Sequence, residues 1–175
     1  MGQIGQILSH TASPPMAYAE RLLSGIRAED APRFARPGGL QVISNHPTFV
    51  FGHLSLYPAK VLEHLRLPAG AAAIPAGWEA VFKAGVQCQD DPQQRIYPAF
   101  ETVSQFFFAS MKHALAALAE ATDATLAAPN NAPEQRMRER FPMLGGMLGF
   151  YISGHTQMHL GQVSAWRRMM GLHPV

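Results

Sequence analysis

One apolar stripe limits the fold of this chain more than any other feature. From Pro98 to about Ala121, Phe100, Val103, Phe107, Met111, Ala114, Leu115, Leu118 and Ala119 recur at spacings of three and four. That period lays a continuous greasy face along one long α-helix. Nowhere does an alternating apolar–polar pattern persist, so strands are not expected, and the stripe can be buried only against other helices.

Three further segments supply those helices. Between Pro14 and Arg27, Met16, Ala19, Leu22, Leu23 and Ile26 share a face, with Ser13 placed as an N-cap ahead of Pro14 and Pro15. Between Pro47 and Leu65, Pro47 suits a first turn, where its missing N–H costs nothing, and Asn45 or His46 can cap it. Pro58 should kink or divide that helix. The last segment runs from Leu144 or Leu148 to Met170 and stops at Gly171, with Arg167 and Arg168 near its C-terminal end. The expectation is an all-α protein, a four-helix up-down bundle forming a single domain over residues 1–175. The stretch PRFARPGG reads as a loop. Residues 67–96 form a long connection with one short helix near Trp78 to Ala84; a connection of that length in a compact domain often walls a pocket.

Charge narrows the class of partner. Charged residues make up 15% of the 175, the formal net charge is +2, and no basic block is present, which argues against nucleic acid. Hydrophobic residues reach 47%, more than one bundle is expected to hide, so a homodimer is anticipated. The start lacks the basic and apolar regions of a signal peptide, and Gln6 stands where myristoylation of Gly2 wants Ser or Thr. The least polar run, Pro142 to Gly154, is too short and too glycine-rich to span a membrane. The lone Cys88 excludes an intrachain disulfide and lacks an activating neighbour, so the cytoplasm is the expected compartment.

Eight histidines are many for this length, and most are ordinary. His10 and His173 lie near the ends, His64 and His113 on helix flanks, and His46 at a helix start. His155 and His159 differ. Four residues turn a helix by about 400°, so both rings lie on one face, about 40° and one turn apart, where two nitrogens can reach one cation. Two histidines sharing a face by chance remain the alternative. His53 is the candidate third ligand, set among Phe49, Val50, Leu54, Leu56 and Tyr57; a core imidazole satisfied by one hydrogen bond is the competing reading.

Three stretches carry a family resemblance: NHPTFVFGHLSLYPAKVLEHL (45–65), YPAFETVSQFFFASMKHALAAL (97–118) and GHTQMHLGQVSAWRRMMGLHP (154–174). Together they resemble the DinB-like superfamily of bacterial four-helix proteins, which includes the YfiT-type metal-dependent hydrolases. The resemblance implies that His53, His155 and His159 hold a divalent transition metal (Zn, Ni or Fe) with a coordination position left open. It implies an enzyme, either a hydrolase using metal-bound hydroxide or a low-molecular-weight-thiol-dependent transferase, with a small-molecule substrate or thiol cofactor. The alternative is a non-catalytic, metal-stabilised bundle serving as a binding or stress-response protein. Where many relatives carry an acid after the first histidine of the pair, this chain has Thr156. Gln162 and Tyr151 lie near the expected metal face, Gln162 as a candidate hydrogen-bond partner for a ligand. Glu79 and Glu101 are not placed at the metal by their spacing, and no general base is identified.

Overall fold

A computed structural model describes residues 2–175 of the chain. Among the described residues ten α-helices follow one another: α1 Gln3–Thr11, α2 Ser13–Leu22, α3 Pro47–Leu54, α4 Tyr57–His64, α5 Trp78–Phe82, α6 Phe100–Glu120, α7 Asp123–Ala127, α8 Gln135–Arg140, α9 Leu144–Gly149 and α10 His155–Met169. Among the described residues no strand forms, and an isolated bridge joins Pro129 to Met143. Four arms make the bundle: α1 with α2, α3 with α4, α6 alone, and α9 with α10. The first arm packs on α6, α9 and α10, and the second on α6 and α10. Leu22, Phe51, Leu54, Phe107, Met111, Leu148 and Leu160 are fully buried where the arms meet.

The first arm departs from expectation. It begins at Gln3 and ends at Leu22, and Ser13 opens α2 itself, with Ala12 at the N-cap position. The cause is tertiary. The Asp123 carboxylate accepts the Ile4 N–H at 2.8 Å, the Ala121 carbonyl accepts the Gly2 N–H at 3.1 Å, and Gly5 lets α1 close onto the Leu118 carbonyl of α6. A cap supplied from so far along the chain leaves no local signal.

In the second arm Pro58 divides α3 from α4, because it has no N–H to offer the Leu54 carbonyl. The fourth arm is interrupted by one wide π-type turn over Phe150–Gly154. Its far end is fixed by the buried Arg167, whose guanidinium donates to the Leu22 carbonyl at 2.8 Å and the His173 carbonyl at 3.0 Å.

Two buried or half-buried carboxylates shape the long loops. Asp90 accepts from Arg33 at 2.9 Å and from the Phe34 N–H at 2.8 Å. Asp91 accepts the N–H groups of Arg95, Ile96 and Tyr97 at 2.9–3.1 Å. Ahead of them in the chain, Lys83–Val86 wall a cleft with α3.

Candidate metal centre

His46 starts the construction. Its Nδ1 accepts the Phe49 N–H at 3.2 Å, capping α3, while its Nε2–H donates to the Gln89 carbonyl at 2.9 Å. Every residue of α3 is buried, so its seventh position, His53, is carried into the interior. There His53 stacks on Phe49 with ring centroids 6.3 Å apart and planes within 5°. The His53 Nδ1–H donates to the Phe82 carbonyl at 2.8 Å, which leaves the Nε2 lone pair free. Phe82 can come so close because position 52 is glycine; a methyl there would overlap the Phe82 ring.

His155 and His159 reach the same point from α10. Their ring centroids lie 4.5 Å apart, and those of His53 and His159 lie 4.7 Å apart. Gln162 fixes His159: its Oε1 accepts the His159 Nδ1–H at 2.9 Å and the Asn45 amide N–H at 3.0 Å. With the Gln162 oxygen accepting from both, the His159 ring is left with Nε2 free. His53 Nε2 and His155 Nε2 face each other at 3.4 Å. Either a proton or a cation must lie between two such lone pairs. Two nitrogens about 2.0–2.1 Å from a tetrahedral zinc stand about 3.3–3.4 Å apart, so this spacing is that of a chelate edge. One ligand atom from each of the three histidines lies within 4.8 Å of the others.

Electrostatics suit the same role. Burial pushes the His53 pKa down to about 4 and the His155 pKa to about 3, and it lowers that of His159. Repulsion within the cluster and from Lys60 adds to the effect on His53 and His155. At neutral pH all three rings are therefore uncharged, as metal ligands must be. His155 Nδ1 is buried and unpartnered among the described residues.

A cleft of about 310 Å³ opens on the cluster, bounded by Asn45, Phe49, Tyr57 and the turn Lys83–Val86 as well as the three histidines. That volume is at the small end of ligand pockets. The expectation that the 67–96 connection walls a pocket is met by Lys83 to Val86.

A profile of the DinB superfamily matches residues 4–163. The chain belongs to the DinB superfamily. No curated protein and no solved structure matches it. In this DinB-superfamily protein the three histidines drawn from sequence come together, and Gln162 holds one of them. Tyr151 does not reach the cleft. It packs behind Tyr57 at 5.1 Å, and Tyr57 is the ring against His155, at 4.2 Å. Thr156 points away too: it is fully buried, and its hydroxyl donates to the Tyr151 carbonyl at 3.2 Å inside the wide turn. Neither Glu79 nor Glu101 borders the cleft; Glu101 accepts from Gln105 on the exposed side of α6. Cys88 is buried, and burial raises its thiol to about 11, so it stays protonated. Sequence reasoning missed Tyr57, Lys83 and the Phe82 carbonyl as parts of the site, and took Asn45 only for a possible cap.

Proposed function

We propose that this protein is a metal-dependent enzyme in which His53, His155 and His159 hold one divalent ion, Zn, Ni or Fe, with a position open toward the cleft. The observation that carries the reading is the convergence of three neutral imidazoles, two with Nδ1 tied back, on a cleft large enough for a small molecule. Three protein ligands and an open side are the pattern of a catalytic site rather than a closed structural one. When bound, a divalent ion supplies Lewis acidity, activating either water for hydrolysis or a low-molecular-weight thiol for transfer.

The residues divide the remaining work. Phe82 and Gln162 hold the His53 and His159 rings in the tautomer that directs Nε2 to the ion. Phe49 and Val86 give the cleft apolar walls, and the Tyr57 ring packs on His155 with centroids 4.2 Å apart and planes tilted by 46°. No carboxylate borders the cleft to act as general base. Loss of a proton from water or a thiol in the cleft would therefore rest on the Lewis acidity of the ion, which lowers the pKa of either nucleophile toward neutrality. The competing reading, a metal-stabilised scaffold, predicts that metal removal changes stability alone.

Elemental analysis of tag-free protein tests the reading, with His53→Ala and a His155→Ala/His159→Ala double variant alongside. Near-stoichiometric metal in the parent and its loss from both variants is the expected result. A parent that takes up no metal after reconstitution and dialysis would refute it.

A further inference from the structure

Among the described residues, the charged side chain that borders the cleft is a cation. Lys83 borders it, exposed and on a fixed turn: Val86 N–H donates to the Lys83 carbonyl at 3.1 Å, and Gly85 takes a φ of +88° to close that turn. The residue before it, Phe82, is the one whose carbonyl anchors His53, so the Lys83 backbone is held in register with the metal cluster. The ion pairs of the described residues all use Arg27, Arg33 or Arg36, which leaves the Lys83 ammonium without a carboxylate. A second cation, Lys60, sits with its Nζ 5.3 Å from the centroid of the Tyr57 ring at the same cleft. Tyr57 and Asn45 add a phenol and an amide. No aspartate or glutamate borders the space.

Three neutral ligands leave the full charge of a divalent ion unbalanced, and the two lysines increase it. An environment of this sign in a partly apolar cleft rejects cations and prefers anions over neutral molecules. Phe49, Ala84 and Val86 add apolar surface to the same cleft.

We propose that the cleft takes a small organic anion, a carboxylate with a short apolar body, whose charge is read by Lys83 while its body lies against Phe49 and Val86. This rests on the metal-enzyme reading above and names its substrate class. Lys83 is a substrate-binding residue in this proposal, and Lys60 reinforces the field without needing contact.

The test uses benzoate and its neutral counterpart benzamide, titrated calorimetrically into the full-length protein and, in parallel, into cobalt-loaded protein followed by its visible spectrum. Metal content is measured separately. Benzoate should bind and perturb the spectrum, benzamide should bind at least about tenfold more weakly, and Lys83→Met should weaken benzoate by about tenfold or more, the range of a charged hydrogen bond. Lys112→Met, on the exposed side of α6, serves as the control for net charge and should leave benzoate affinity within about twofold, as expected for a screened distant charge. Metal uptake with equal affinity for benzoate and benzamide, or with no effect of Lys83→Met, overturns this proposal alone. Lys83-dependent benzoate binding to a protein that takes up no metal overturns the metal-enzyme reading and keeps the anion site. Failure of both metal and benzoate to bind overturns both.

Discussion

Acidification should destabilise the bundle through His46, a residue outside the metal cluster. Its ring is fully buried, and both nitrogens are committed: Nε2–H to the Gln89 carbonyl, Nδ1 as acceptor for the Phe49 N–H. That pattern requires the neutral ring, since protonation of Nδ1 would remove the helix cap and leave a buried charge. Burial lowers the pKa from 6.5 to about 4, against the smaller upward pulls of the Gln89 carbonyl, Asp90 and Asp91. With the folded value below the unfolded one, the unfolded chain takes the proton first. The stabilisation is complete above about pH 6.5 and disappears as pH falls toward about 4. Between about pH 7.5 and about pH 4.5, linkage gives a loss of about 2.5 kcal/mol. Urea unfolding of metal-stripped protein at both pH values, parent against His46→Asn, isolates the effect. Asparagine can cap α3 without titrating, and the metal histidines titrate alike in both proteins and cancel. The parent should lose about 2.5 kcal/mol more than the variant on acidification. An equal loss in both would refute the argument, because it would mean that the cap survives protonation.

Other outcomes follow from single contacts. Gln162→Leu should weaken metal binding about 10–100-fold in competition with a chromogenic chelator, since the His159 ring loses its anchor; unchanged affinity would remove that role. Gly52→Ala places a methyl inside the buried Phe82 ring and should cost about 1–3 kcal/mol in urea unfolding; a neutral effect would show that α5 moves freely on α3. Asp123→Ala removes the cap of α1 and should cost about 1 kcal/mol, with a lowered melting temperature as the readout. Sedimentation should show a homodimer that covers exposed apolar side chains such as Ile7, Leu40, Ile43 and Met158; a monomer at micromolar concentration would contradict this.

Where packing follows period, the sequence was readable. The α6 stripe ran over the predicted residues because the positions that recur at three and four are the ones that meet the other arms. Pro58 and Gly171 ended helices for reasons carried in their own covalent structure: a missing N–H, and a φ of +76°. By contrast α1 was missed, because its inward face carries only Ile4, Gly5 and Leu8 and its cap comes from Asp123. The same division runs through the site. Spacing and apolar surroundings made the three histidines candidates and the family resemblance joined them into one site, but the group holding His53 is a main-chain carbonyl, and every residue has one of those.

Tyr151 shows why even sound helical spacing can mislead beside such a site. Four residues before His155, an α-helix would set Tyr151 almost on the metal face. The wide turn at Phe150–Gly154 adds chain to that single turn, so positions before it are rotated relative to positions after it. Tyr151 is carried behind Tyr57, and its carbonyl, displaced from the ordinary ladder, takes the Thr156 hydroxyl five residues on. Thr156 therefore has a structural task here, satisfying a buried carbonyl, and an acid at 156 with this backbone would bring a charge to a fully buried position facing an oxygen. Thr156→Val, which keeps the shape and removes the donor, should cost about 1–3 kcal/mol in urea unfolding, since it orphans that carbonyl. Metal affinity should stay within about threefold, because the hydroxyl points away from the cluster and nothing at the cluster is left unpaired. A large loss of metal with stability intact would show that residue 156 serves the ion after all.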